Sequence, residues 1–110
     1  MRRVAQHRDD VAELWSGELR PVVVDGVKVV VVRIADELRA YADRCAHLGV
    51  ELSKGALAGN VLTCSAHHWQ YDALTGCGVN PARACLVRYA LEVRDGVVYV
   101  DVGRRVEVAA

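Results

Sequence analysis

The chain has 110 residues, 53% of them hydrophobic, and balances 14 basic against 14 acidic side chains for a formal net charge of zero. These figures allow one packed domain and exclude both a disordered chain and a nucleic-acid binder working through bulk positive charge. Valine supplies 21 residues, isoleucine one and phenylalanine none, a β-branched load that suits pleated sheet. In chain order, residues 8–14 fit a single helical turn, because Asp9 and Asp10 stand near its start. Leu14 and Trp15 are expected to anchor this N-terminal segment to the core. Residues 18–24 form the first clear strand, Asp25-Gly26 a two-residue hairpin turn, and 27–34 the returning strand. The continuous apolar stretch of that second strand predicts burial on both faces or at a sheet crossing. Residues 39–43 alternate around Tyr41 as a third strand leading into Cys45. A short strand over 61–64 leads into a second Cys/His group, and another over 69–72 closes at Thr75-Gly76. Residues 88–93, the turn Asp95-Gly96 and 97–102 repeat the hairpin pattern, and 103–110 are expected to fray. The sum is eight to ten short strands, hence an all-β antiparallel sandwich or barrel spanning 1–110 as one domain.

The longest apolar runs, such as 29–32, are too short to cross a bilayer, and the first ten residues lack the apolar centre of a signal peptide. A cytoplasmic chain with no membrane partner is expected. Four cysteines at this length do not make a disulfide scaffold, and in a reducing compartment they serve as metal ligands or packed thiols.

Two groups carry the chemistry: Cys45-Ala46-His47 and Cys64-Ser65-Ala66-His67, arranged as C-x-H-x16-C-x2-H. Each follows a predicted strand, and each offers one thiolate and one imidazole. A single zinc accepts a Cys2His2 set, but zinc fingers usually draw both cysteines from one turn and both histidines from another. A Rieske-type [2Fe–2S] cluster needs the arrangement found here, since one iron takes two cysteines and the other two histidines. Each loop then straddles the cluster, with Cys45 and Cys64 on one iron and His47 and His67 on the other. The bland alternative is a pair of core histidines beside structural thiols. Four ligand-type residues in paired, ordered spacing speak against it.

At this point the sequence resembles the Rieske ferredoxins over nearly its whole length. The resemblance rests on CAHLG at 45–49, SKG at 53–55, GNVLTC at 59–64, CSAHHWQY at 64–71, Asn80-Pro81, and YALEV at 89–93 followed by Asp95-Gly96. The second loop and the stretch GVNP at 78–81 with Cys85, Leu86 and Tyr89 are most similar to the ferredoxin component of toluene and alkene monooxygenases of the soluble diiron class. Ferredoxins of ring-hydroxylating dioxygenases and nitrite reductase small subunits more often carry Pro and Gly where Ser65 and His68 stand, and they are the competing readings. Respiratory members staple the two loops with a disulfide at positions occupied here by Val50 and Ala66, so that staple cannot form. A serine that donates to a cluster sulfide in those members is replaced by Trp69. Tyr71 keeps an aromatic hydroxyl at the position that in high-potential members bonds a ligand sulfur. One donor and the staple being lost, the potential is expected near the bottom of the Rieske range of about −150 to +300 mV.

The resemblance implies a Rieske fold with a small cluster-binding subdomain at about 44–82. It also implies one-electron transfer from an NADH-dependent reductase component to an oxygenase component, a diiron hydroxylase, by a monomeric carrier that is not itself the enzyme. Leu48, Gly49 and Val50 would form an apolar tip for docking, and Asn80-Pro81 a loop over the cluster. Trp69 either shields the cluster or fills the core. His68 is read as a surface residue, Cys77 and Cys85 as thiols outside the ligand set, with Cys85 packed and Cys77 in a turn. Asp43, Glu51 and Asp72 are solvated carboxylates near the loops that could steer a basic partner.

Overall fold

The computed structural model describes residues 2–3, 14–45, 50–65, 69–80 and 84–108. Among these it has ten strands and one short 3-10 turn at Leu52–Lys54. The strands are β1 (Arg2–Arg3), β2 (Leu19–Val24), β3 (Val27–Ile34), β4 (Glu37–Ala42), β5 (Ala56–Ala58), β6 (Val61–Thr63), β7 (Gln70–Asp72), β8 (Gly78–Asn80), β9 (Arg88–Arg94) and β10 (Val97–Val106). Six strands form one antiparallel sheet in the order β1-β10-β9-β4-β3-β2. The other four form a second sheet in the order β5-β6-β7-β8.

Local chemistry sets the hairpins. Asp25 and Gly26 have φ of 52° and 78°, and Asp95 and Gly96 have 51° and 75°. Two successive positive φ values give the turn whose twist matches the flanking strands. The registers Val24↔Val27 and Arg94↔Val97 follow. The β3–β4 turn places Ala35 at φ 54°, where its backbone N–H donates to Ser16 Oγ at 2.9 Å.

Strand β3 is the spine of the molecule. Val29, Val30, Val31 and Val32 are all fully buried, as the apolar run predicts. Their side chains alternate between faces. Val29 and Val31 join Val22, Val24, Ala40, Val98 and Val100 in one core, enclosed by the curl of the larger sheet. Val30 and Val32 join Tyr41, Leu52, Leu62 and Tyr71 in a second core under the smaller sheet. Each buried valine contributes about 1.5–3 kcal/mol relative to an exposed one.

The two sheets meet along one line. Tyr41 on β4 donates its hydroxyl to the Ala73 carbonyl at 2.6 Å, and Arg39 Nε donates to the Leu74 carbonyl at 3.0 Å. Cys77 and Cys85 pair across an isolated antiparallel bridge, and the Leu86 N–H reaches the Gly76 carbonyl at 2.9 Å.

Two sequence expectations are corrected in the fold. Residues 103–106 are not frayed: β10 continues through an irregularity between Asp101 and Arg105, then pairs Arg105 with Tyr89 and Val106 with Arg88. The Gly103 N–H donates to Asp101 Oδ1 at 2.9 Å and stabilises that kink. Trp15 anchors nothing, being 80% exposed, although Leu14 is buried in the first core. Its backbone N–H is tied to Glu18 Oε1 at 2.6 Å, in a turn that leaves the indole outside. Strands β1, β5 and β8 have two or three residues each, too short for alternation to signal them. The helical turn expected over 8–14 lies, apart from Leu14, outside the described residues. No helix among the described residues is long and apolar enough to cross a membrane.

Candidate metal centre

Cys45 and Cys64 stand just beyond the ends of β4 and β6, where each chain leaves its sheet. The Cys45 N–H donates to the Val50 carbonyl at 2.7 Å, and the Cys64 N–H donates to the Trp69 carbonyl at 2.8 Å. The two loops are therefore closed by the same five-residue hydrogen bond. Both cysteines are buried, and both belong to the second core. No disulfide involves any of the four cysteines.

Register brings Tyr71 to this pair. It sits on β7 opposite Leu62 of β6, is fully buried, and its hydroxyl lies 3.4 Å from Cys45 Sγ. The expectation that Tyr71 serves a cysteine sulfur is thus met. Trp69 and Val50, the residues that close the loops, are half-buried and pack against the same core.

A neighbouring scaffold fixes the first loop. The Asp43 carboxylate is buried and accepts both the Ser53 N–H and the Ser53 hydroxyl, each at 2.7 Å. Its own N–H donates to the Lys28 carbonyl at 3.0 Å. Asp43 thus ties the residues before Cys45 to the 3-10 turn, and it is neither solvated nor placed to steer a partner. Sequence reasoning missed this role; the signal was the Ser53 hydroxyl ten residues on, whose proximity only the fold creates. Gly55 follows that turn, and a Cβ there would lie 2.1 Å from the Thr63 carbonyl oxygen. Only glycine lets the turn rest directly on the backbone that precedes Cys64.

Outside this frame the carboxylates among the described residues are exposed or partly so. Glu51 pairs with Lys28 at 3.3 Å and Lys54 at 3.2 Å. Hydrogen bonds from Lys54 and Lys28 hold its carboxyl below the usual range. Asp72 Oδ1 accepts the Leu74 N–H at 2.9 Å and shapes the turn after β7. Burial pushes the Tyr41 phenol well up, against a smaller opposing pull from Arg88 and Arg39.

Of the four predicted ligands, the structure brings Cys45 and Cys64 into one core. His47 and His67 lie outside the described residues, as do Leu48, Gly49, Ala66, His68 and Pro81. Among the described residues there is accordingly no group of three or more metal-ligating side chains. Cys77 and Cys85 face each other at the sheet junction, apart from that core's two cysteines. Cys77 and Cys85 are both half-buried. Asn80 is exposed on β8.

Buried thiols at the ends of two equivalent loops, one of them touched by a buried hydroxyl, suit a soft metal that prefers sulfur and tolerates little water. An all-β clasp with two buried thiols fits a small iron–sulfur protein. The family model for the Rieske [2Fe–2S] domain matches residues 5–90, and the chain belongs to that family. Its cofactor is a Rieske [2Fe–2S] cluster, its work is electron transfer, and its fold is the Rieske fold.

Among similar proteins, the ferredoxin component of the alkene monooxygenase system of Xanthobacter autotrophicus is 37% identical over 91 residues, covering 82% of this chain and 75% of that protein. The methylxanthine N1-demethylase NdmA of Pseudomonas putida is also 37% identical, but this chain spans only 23% of its length. A solved complex of reduced oxygenase and oxidised ferredoxin in carbazole 1,9a-dioxygenase contains a chain that superimposes with a TM-score of 0.78. That chain is 30% identical, with 89% of this chain and 92% of that one covered.

Proposed function

We propose that this chain is the ferredoxin of a multicomponent oxygenase, carrying one electron at a time from an NADH-dependent reductase component to a diiron hydroxylase of the toluene/alkene monooxygenase type. The observation that carries the reading is the pair of loops closed alike at Cys45–Val50 and Cys64–Trp69, which bury two cysteines in one core with the Tyr71 hydroxyl at 3.4 Å from Cys45 Sγ. The likeness to the alkene monooxygenase ferredoxin component, covering most of both chains, supports the choice of system.

In this reading Cys45 and Cys64 hold one iron and His47 and His67 the other, within a cluster-binding subdomain at about 44–82 of a single domain. When bound, the cluster supplies a one-electron redox couple. The chain's own residues do the rest. Tyr71 donates a hydrogen bond to Cys45 Sγ, because a ligated thiolate has no proton to give. Leu52, Leu62 and Trp69 exclude water from the sulfur side. The neutral net charge makes docking depend on a local patch or apolar rim rather than on bulk attraction. The carrier works as a cytoplasmic monomer and performs no substrate chemistry.

The deciding experiment is the EPR spectrum of the dithionite-reduced protein, with iron and acid-labile sulfide counted on the same sample. A rhombic signal of low average g with two irons per chain is expected. A colourless, EPR-silent protein with stoichiometric zinc would overturn the ligand assignment. A second reading, the ferredoxin of a ring-hydroxylating dioxygenase, is favoured by the superposition on the carbazole dioxygenase complex. Mixing the reduced protein with each class of oxygenase separates the two: the physiological acceptor reoxidises it quickly, the other slowly.

A further inference from the structure

Two cysteines remain outside the cluster core, and their placement is specific. Cys77 and Cys85 are directly opposite each other in an antiparallel bridge. The Leu86 N–H bonds the Gly76 carbonyl, so the hydrogen bond flanks the pair instead of joining it. That makes Cys77 and Cys85 a non-hydrogen-bonded pair, the closer of the two antiparallel types, with Cα atoms about 4.5 Å apart and both side chains on the same face. Disulfides span Cα separations of about 4.4–6.8 Å. Neighbouring residues confirm the shared face. Ala84 and Leu86 turn into the core while Cys85 between them stays half-buried, and Gly76 is buried while Cys77 is half-buried. Neither cysteine is fully buried. The bridge lies outside the ladders of both sheets, and the Cys77 carbonyl is held by the Asp72 N–H at 2.8 Å.

We propose that Cys77 and Cys85 are a dithiol modification site, which a small-molecule disulfide such as oxidised glutathione converts to a reversible cross-strand disulfide. In the first step the thiolate of one cysteine attacks a glutathione sulfur. A protein–glutathione bond forms, the glutathione S–S bond breaks, and one glutathione thiol leaves. In the second step the other cysteine attacks the protein sulfur of that mixed disulfide, forms the Cys77–Cys85 bond and expels the second glutathione thiol. Two protein thiols are oxidised, one glutathione disulfide is reduced to two thiols, and no proton is gained or lost overall. The bond joins the segment entering β8 of the smaller sheet to the segment entering β9 of the larger one. It adds a covalent staple at the junction now held by Tyr41 to Ala73 and by Leu86 to Gly76.

The test uses the intact holo-protein without oxygen, equilibrated against graded ratios of oxidised to reduced glutathione, quenched in acid, alkylated and mapped by mass spectrometry. The expected result is loss of two alkylatable thiols per chain together, a cross-linked peptide joining Cys77 to Cys85, and full recovery with dithiothreitol, while the visible spectrum is retained. Cys77→Ser and Cys85→Ser should each trap glutathione on the remaining cysteine. The proposal is overturned if the wild-type protein accumulates separate glutathione adducts on Cys77 or Cys85 with no cross-link, or if both stay alkylatable at every ratio. The map of the wild-type protein decides the matter even if a variant fails to fold.

Discussion

Replacing Tyr71 by phenylalanine removes one oxygen atom from a fully buried ring and leaves its packing on β7 unchanged. The hydroxyl lies 3.4 Å from Cys45 Sγ. With Cys45 as an iron ligand, that hydroxyl is a donor aimed at a sulfur that grows more negative when the cluster is reduced. A hydrogen bond contributes about 0.5–1.5 kcal/mol between neutral partners and about 1.5–3 kcal/mol to a charged one. The reduced state therefore gains about 1 kcal/mol more from Tyr71 than the oxidised state does. For a one-electron couple, about 1.4 kcal/mol corresponds to roughly 59 mV, so Tyr71→Phe should lower the midpoint potential by roughly 40 mV. Protein-film voltammetry on wild type and variant reads this directly, and EPR confirms that the cluster is intact. A midpoint unchanged or raised, with the signal retained, would refute the claim that this hydroxyl stabilises the reduced centre.

Other outcomes follow from the same geometry. Cys45→Ser and Cys64→Ser should lose the cluster or bleach rapidly, whereas Cys77→Ser and Cys85→Ala keep it; iron content per chain checks both pairs. Gly55→Ala forces a methyl into the Thr63 carbonyl, so a cost of about 1–3 kcal/mol and faster cluster loss on heating are expected. Asp43→Ala strands the Ser53 N–H and hydroxyl that the carboxylate now accepts. It should lower the denaturation midpoint by an amount equivalent to about 3 kcal/mol, with Asp43→Asn milder because one acceptor oxygen survives. Alkaline stability carries its own signature. The Tyr41 phenol is raised in the folded protein by burial above an unfolded value of about 10. Its contribution is therefore complete below about pH 10 and is lost as pH rises further, at about 1.4 kcal/mol per pH unit. Denaturation midpoints measured from pH 8 upward should fall more steeply for wild type than for Tyr41→Phe.

Much of this molecule was legible along the chain. The two Asp-Gly turns fixed two hairpins, because residues that tolerate positive φ declare themselves locally. The run at 29–32 announced a strand buried on both faces, and the spacing of Cys45, His47, Cys64 and His67 announced the type of centre. Other features were invisible because they join residues distant in sequence. That Val29 and Val31 enter one core while Val30 and Val32 enter another follows from alternation. Which core receives which depended on how the smaller sheet folds over the larger. Asp43 read as a solvated carboxylate until the 3-10 turn brought Ser53 against it. Trp15, large and apolar, was expected inside, but the turn tied to Glu18 holds it in water. Residues 103–106 were assigned to a tail because their strand character depends on β9 lying beside them. The sequence alone determined the strands with strong local signals and the type of metal centre, since turn preference and the Cys/His pattern belong to individual residues. Only the tertiary structure decided that Tyr71 meets Cys45 and that Cys77 meets Cys85, because such contacts depend on register between strands, and register is a property of the assembled sheets.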